Sequence, residues 1–207
     1  MRHFILSLAL SLFATGSAWA QTLKSPDGNL VLDFHLSGTE TPVYSLDYKG
    51  KPIIKESKMG FVLHPDYQFN QDFEIVDTKF AESDTTWETV WGQNKEIRDN
   101  HKEMFVALRQ KKTGWLLNIR FRLFDDGLGF RYEFPVQKEL RHFIIMQENT
   151  EFSLAGDHKA FWIPADYDSN EYPVTTSRLS EVAGLKDAVL KDCLLYTSPS
   201  PRDGATS

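Results

Sequence analysis

A single cysteine, Cys193, stands in 207 residues, so no disulfide can close within the chain and no thiolate pair is available for a metal. No run of lysine or arginine appears, and the formal net charge of -6 leaves no basic footprint for nucleic acid or an anionic membrane. Apart from the start of the chain, no apolar stretch approaches the about 20 residues that a membrane-spanning helix needs. Helical spacing is also scarce: only residues 180–191 carry it, through Val182, Leu185, Val189 and Leu190. Missing too are a Gly-rich phosphate loop, a His-x-x-x-His zinc pair and a Gly-x-Ser-x-Gly elbow. What remains is a chain with 41% hydrophobic and 13% aromatic residues, enough for the core of one domain or of part of a larger one.

The two ends read differently from the middle. Met1-Arg2-His3, the apolar run 4–13 and Ala18-Trp19-Ala20 before Gln21 have the form of a secretory signal peptide, residues 1–20. Gln21 occupies the position where a lipid-anchored protein would carry cysteine, so the expected product is periplasmic or secreted, without a membrane partner once the leader is cleaved. Residues 193–203 read as the translation of an adapter used in sequencing libraries, which places the end of the authentic domain, residues 21–192, near Asp192 and sets 193–207 apart. Cys193 falls inside that stretch, so the domain must be held by its core alone.

Alternation of apolar and polar side chains dominates the rest. Between residues 103 and 135, Met104, Val106 and Leu108 share one face, then Leu117, Ile119, Phe121 and Leu123, then Leu128, Phe130, Tyr132 and Phe134. The turns Lys111-Lys112-Thr113-Gly114 and Asp125-Asp126-Gly127 divide these runs into a three-stranded meander that ends at Pro135. Its other face carries Arg120, Arg122, Arg131 and Glu133, which either pair across strands or form a solvated sheet face, the simpler reading. Further strands are expected over 30–36, 42–48, 52–54, 59–63, 73–80, 142–146, 151–154 and 161–164, with a loop at 83–86 and an unassigned polar connection at 93–102. Many short strands and almost no helix specify an all-β fold, an antiparallel β-sandwich.

Candidate chemistry is sparse. The 29 carboxylates cannot be sorted into acid and base roles, because those roles depend on separation in space. Asp166-Tyr167-Asp168-Ser169-Asn170-Glu171 offers oxygen ligands suited to a hard cation, yet lacks the EF-hand glycine and final glutamate, and on local evidence an Asx-rich turn is the simpler reading. Trp87, Trp91, Trp115 and Trp162 could stack on sugars, although core packing is the default for large aromatics in a sandwich. His158, in Gly156-Asp157-His158, is either near a ligand or a turn residue.

Several of these stretches together resemble the N-terminal domain of glycoside hydrolase family 97. They are Ser25-Pro26-Asp27-Gly28-Asn29-Leu30, Trp87-Glu88-Thr89-Val90-Trp91-Gly92, Lys95-Glu96-Ile97-Arg98, the run from Phe121 to Pro135, Gly156-Asp157-His158, the run from Phe161 to Asp168, and Ser177-Arg178-Leu179-Ser180-Glu181. At 98–103 the chain departs from the family pattern, with Arg-Asp-Asn-His-Lys-Glu in place of an Arg-Asn-His-Tyr-Asn-Glu type run. The resemblance implies a large β-sandwich followed by a catalytic (β/α)8 barrel and a C-terminal β-domain, of which this chain holds an incomplete first part. It implies an α-glucosidase or α-galactosidase acting on α-linked oligosaccharides, with the catalytic carboxylates in the barrel beyond Asp192. On this basis the chain by itself is expected to be inactive, to pack on the barrel, to line one side of the active site, and to donate Glu171 as a ligand to Ca2+. A stand-alone carbohydrate-binding sandwich and a periplasmic structural or assembly domain are the rival readings.

Overall fold

The computed structural model describes residues 20–164 and 172–185. The chain divides into two compact units, Met1–Ser153 and Leu154–Ser207.

In the first unit, strands β1 (Gln21–Lys24), β2 (Leu30–Ser37), β3 (Thr41–Tyr48) and β4 (Lys51–Lys58) form an antiparallel sheet in sequence order. Alternation drives it: Leu30, Leu32 and Phe34 are buried beside Tyr44 and Leu46, while Val31, Asp33 and His35 lie on the other face. The β3–β4 hairpin turns on Lys49 and Gly50, both at positive φ (50° and 72°), the geometry that matches the twist of paired strands.

A second sheet, ordered β10-β9-β8-β7, contains β7 (Phe73–Glu88), β8 (Glu96–Gln110), β9 (Leu116–Leu123) and β10 (Leu128–Glu133). Its inner face is the one expected from the sequence: Met104, Val106, Leu108, Leu117, Ile119, Phe121 and Leu123 are fully buried. Phe34 of the first sheet meets Phe121 of the second with ring centroids 5.7 Å apart, and both belong to one continuous core. A small sheet, β11-β5-β6, joins β5 (Phe61–Leu63), β6 (Tyr67–Phe69) and β11 (Ile145–Glu148). It is tied to β10 through Phe61, whose ring lies 4.6 Å from that of Tyr132 and 5.3 Å from that of Phe134. The antiparallel sandwich expected from the alternation is therefore the fold.

In the second unit, β12 (Lys159–Trp162) pairs with β13 (Thr175–Arg178), and a 3-10 turn, Leu179–Glu181, follows. Residues 182–185 are helical, in keeping with the spacing read over 180–191, of which 186–191 lie outside the described residues. Among the described residues, no helix is long and apolar enough to cross a membrane.

The segment 83–86, expected as a loop, belongs to the outer half of β7, and residues 96–102 of the unassigned connection are the start of β8. Residues 151–153 are not a strand; Glu151 instead uses its carbonyl to accept the Tyr44 hydroxyl at 2.9 Å.

Candidate functional site

Strands β8, β9 and β10 bring five charged side chains together on the outer face of the second sheet. Their register sets Glu103 opposite Arg122, and Arg120 opposite Arg131. Two arginines face to face would repel, but each has a carboxylate to hand. Glu133 accepts from Arg120 Nε at 2.7 Å and from Arg131 Nη2 at 2.8 Å, while Glu103 pairs with Arg120 on one oxygen and with Arg122 Nε at 2.9 Å on the other. The result is an alternating ladder, Arg122, Glu103, Arg120, Glu133, Arg131. The Arg120 guanidinium also lies over the Phe105 ring, 4.9 Å from its centroid. The face is thus a paired network rather than independently solvated charges.

The inner members of the ladder are only 13% (Glu103), 24% (Glu133) and 25% (Arg120) exposed. Desolvation pushes the Glu103 carboxyl up, but Arg122 and Arg120 outweigh it and hold the group below the usual glutamate range. Arg120 and then Arg131 do the same for Glu133, against a smaller desolvation penalty. A general acid for glycoside cleavage needs the opposite shift, so these two glutamates are suited to structure rather than to proton donation. A cavity of about 220 Å³, lined by Arg120, Arg122, Phe124, Gly129, Phe130 and Arg131, opens beside them.

A second feature comes from the mismatch in strand lengths. The last residue of β8 paired with β9 is Lys102, opposite Leu123, yet β7 and β8 continue together from Ser83↔His101 to Glu88↔Glu96. Beyond β9 they form a two-stranded ribbon whose tip exposes Trp87 (53%), Val90 (100%) and Trp91 (89%). Core packing, expected for the tryptophans, holds for Trp115, whose ring lies tilted 5.0 Å from that of Tyr67, and fails for Trp87 and Trp91. Trp162, in the second unit, is half-buried and donates Nε1 to Ser177 Oγ at 3.0 Å.

His158 serves a turn: its carbonyl accepts the Leu179 amide at 3.0 Å and its ring lies against Gly156. Next to it, Asp157 accepts the Ser180 amide (2.9 Å) and hydroxyl (3.0 Å), which hold its carboxyl below the ordinary value. Among the described residues, no group of three or more His, Cys, Asp or Glu is placed to hold a metal ion. Glu171, with Asp166 and Asp168, lies outside the described residues.

The described residues define a β-sandwich domain with a projecting ribbon. Residues 23–199 match the family model described as Glycosyl-hydrolase 97 N-terminal, and the chain belongs to that family. Over 190 residues it is 26% identical to the retaining alpha-galactosidase of Bacteroides thetaiotaomicron, an alignment covering 84% of this chain and 27% of the relative. A solved structure, a Glycoside Hydrolase Family 97 enzyme in complex with acarbose from Pseudoalteromonas sp. strain K8, matches with a TM-score of 0.73 and 34% identity, over 78% of this chain and 25% of that one. A beta-arabinopyranosidase structure matches with a TM-score of 0.67 at 21% identity, over 76% of this chain and 26% of that one, a likeness of fold alone. The chain therefore spans about a quarter of the length of the relatives it matches.

Proposed function

We propose that this chain is the N-terminal portion of an exported α-glycosidase, its sandwich lining one side of an active site that a following catalytic domain completes. The observation that carries this reading is the 34% identity to a Family 97 enzyme that was solved with the oligosaccharide analogue acarbose. An α-linked glucoside or galactoside is the substrate class. Export rests on the leader-like residues 1–20.

Within this reading Glu171 donates a carboxylate oxygen to Ca2+, whose remaining ligands come from the catalytic domain. A glutamate carboxylate is the hard oxygen donor that calcium takes, and the irregular geometry the ion tolerates lets a carboxylate of one domain join those of another. When bound, the dication supplies Lewis-acid stabilisation of charge developing at the sugar.

The test begins with an uninterrupted read of the gene through Asp192. The full-length product and the 207-residue chain are then assayed on aryl α-glucosides and α-galactosides. Turnover by the first and none by the second is expected. An inactive full-length protein, or an active 207-residue chain, would overturn the assignment. For calcium, Glu171→Gln should weaken binding measured by titration calorimetry, and unchanged affinity would remove Glu171 from the site.

A further inference from the structure

We propose that the β7–β8 ribbon is an anchoring arm, its tryptophan tip seated in an apolar cleft of the folded domain that follows this one in the same polypeptide. The inference rests on the reading above that the chain is one domain of a larger protein.

Six residue pairs, from Ser83↔His101 to Glu88↔Glu96, extend past the last β9 partner. At a strand's rise of about 3.3 Å per residue this is a reach of roughly 20 Å. A two-stranded ribbon is marginal in water when nothing packs on it, yet this one is thoroughly built. At its root, His101 is 4% exposed, lies 5.2 Å from the Phe124 ring and places Nδ1 2.5 Å from Asp99. Halfway along, Arg98 grips Asp84 with two bonds of 2.7 Å, and nearer the tip Lys95 lies 3.7 Å from Glu88. The turn is closed by Thr89, whose amide donates to the Lys95 carbonyl at 2.9 Å and whose hydroxyl donates to the Asn94 carbonyl at 2.7 Å.

A ribbon fixed in this way presents Trp87, Val90 and Trp91 from a preformed backbone, so little loop entropy remains to be lost on docking. Interface hot spots are enriched in tryptophan. The chemistry favours a protein surface over a sugar. Sugar recognition requires polar groups around the stacked ring; here the charged side chains of Arg98, Asp84, Lys95 and Glu88 are engaged with one another and the Thr89 hydroxyl is spent on the backbone, which leaves only the exposed amides of Gln93 and Asn94 at the turn itself. Val90, fully exposed, has nothing to offer a hydroxyl-rich ligand.

The partner is assigned to the same polypeptide by length. The match to the galactosidase takes in 84% of this chain but 27% of that protein, and the acarbose-bound structure gives 78% against 25%. About three quarters of each relative therefore has no counterpart in the matched region. A domain tethered to the arm meets it at high effective concentration, so a small apolar contact is enough to hold the two together.

Hydrogen exchange of the peptides covering residues 84–98 would be compared in the full-length polypeptide and the 207-residue chain, both without sugar. Exchange at least tenfold slower in the full-length protein is expected. Trp91→Ser in the full-length protein should return the arm to fast exchange, with the melt of the 207-residue chain unmoved by the same substitution. Equal exchange in both proteins would overturn the proposal, as would a native stop codon directly after Asp192. Protection that appears only when acarbose is added would make the tip a sugar platform instead. Protection in the 207-residue chain that rises with its concentration, alongside a dimer, would assign the tip to a second copy. A protected arm in a full-length protein that cleaves no glycoside would uphold the arm and reject the enzymatic reading.

Discussion

Arg120 donates its Nε to Glu133 at 2.7 Å from the centre of the outer face of the second sheet, where both side chains are about three-quarters buried. Because Arg120 also holds Glu103, its removal would leave two part-buried carboxylates each with a single, more exposed arginine, Arg122 or Arg131. Arg120→Ala should destabilise the sandwich by about 1–3 kcal/mol, between the values typical of exposed and of buried pairs. Arg122, 46% exposed and bonded to Glu103 alone, should cost less than about 1 kcal/mol when replaced by alanine. Urea midpoints of the two variants provide the comparison, and equal losses would show that the ladder has no centre.

The same ladder sets an acid limb. Glu103 and Glu133 have folded pKa values depressed below the ordinary 4.5. Their contribution is therefore complete above that value and is lost as pH falls through the folded-state values beneath it. Stability measured in urea should decline below about pH 4.5, and Arg120→Ala should flatten that decline. A slope unchanged by the substitution would place the acid sensitivity elsewhere.

An alkaline limb belongs to two phenols, Tyr44 in the core and Tyr132 partly buried against it. Desolvation pushes Tyr44 and Tyr132 from 10.0 up to about 12. Groups raised in the folded state stabilise fully below their unfolded value, so the loss should run from about pH 10 to about pH 12. Tyr132→Phe should reduce this loss, at a cost near neutrality of about 1 kcal/mol for the hydrogen bond to Thr150 at 2.6 Å. Spectrophotometric titration of the tyrosinates alongside the unfolding curve would check both.

Two substitutions probe the packing between sheets. Phe121→Ala removes a ring 5.7 Å from Phe34, 6.4 Å from Tyr44 and 5.9 Å from Phe130, and should cost about 3–5 kcal/mol. Gly60 sits at φ +134°, and a Cβ there would lie 2.6 Å from the Asn70 Cα, a backbone atom that cannot step aside. Gly60→Ala should be worse than about 1 kcal/mol on strain alone. Thermal melts of the two variants would show either effect, and a melt matching the parent at Gly60 would mean that the loop at Asn70 yields.

Wherever one sheet face is buried and the other solvated, the alternation in the sequence was enough: β2, β9 and β10 are where the spacing puts them, with Leu32, Phe34, Ile119 and Phe121 in the core. The outer half of β7 was illegible because the ribbon is wet on both faces. Its Ser83-Asp84-Thr85-Thr86 run is polar throughout, as in a loop, and no period of two survives. β1 is too short to show a pattern, with one buried residue, Leu23. Trp87 and Trp91 were assigned to the core on residue type alone, and only the strand lengths reveal that they project. Pairing on the ladder face was legible in outline, since Arg120, Arg131 and Glu133 fall on one side of adjacent strands, but Glu103, on the third strand, completes it. Glu171 was reached by resemblance, and its position lies outside the described residues.

Both large sheets are made of strands that pair in the order in which they are synthesised. The first can close as soon as Lys58 has emerged, but its buried face, Leu32, Phe34, Tyr44 and Leu46, awaits residues from Met104 onward. At about 5–20 residues per second that interval lasts roughly 2–10 seconds. For that time a four-stranded sheet with an uncovered apolar face and two open edges, β1 and β4, is part of an unfinished chain, which makes that chain a client for a holding chaperone.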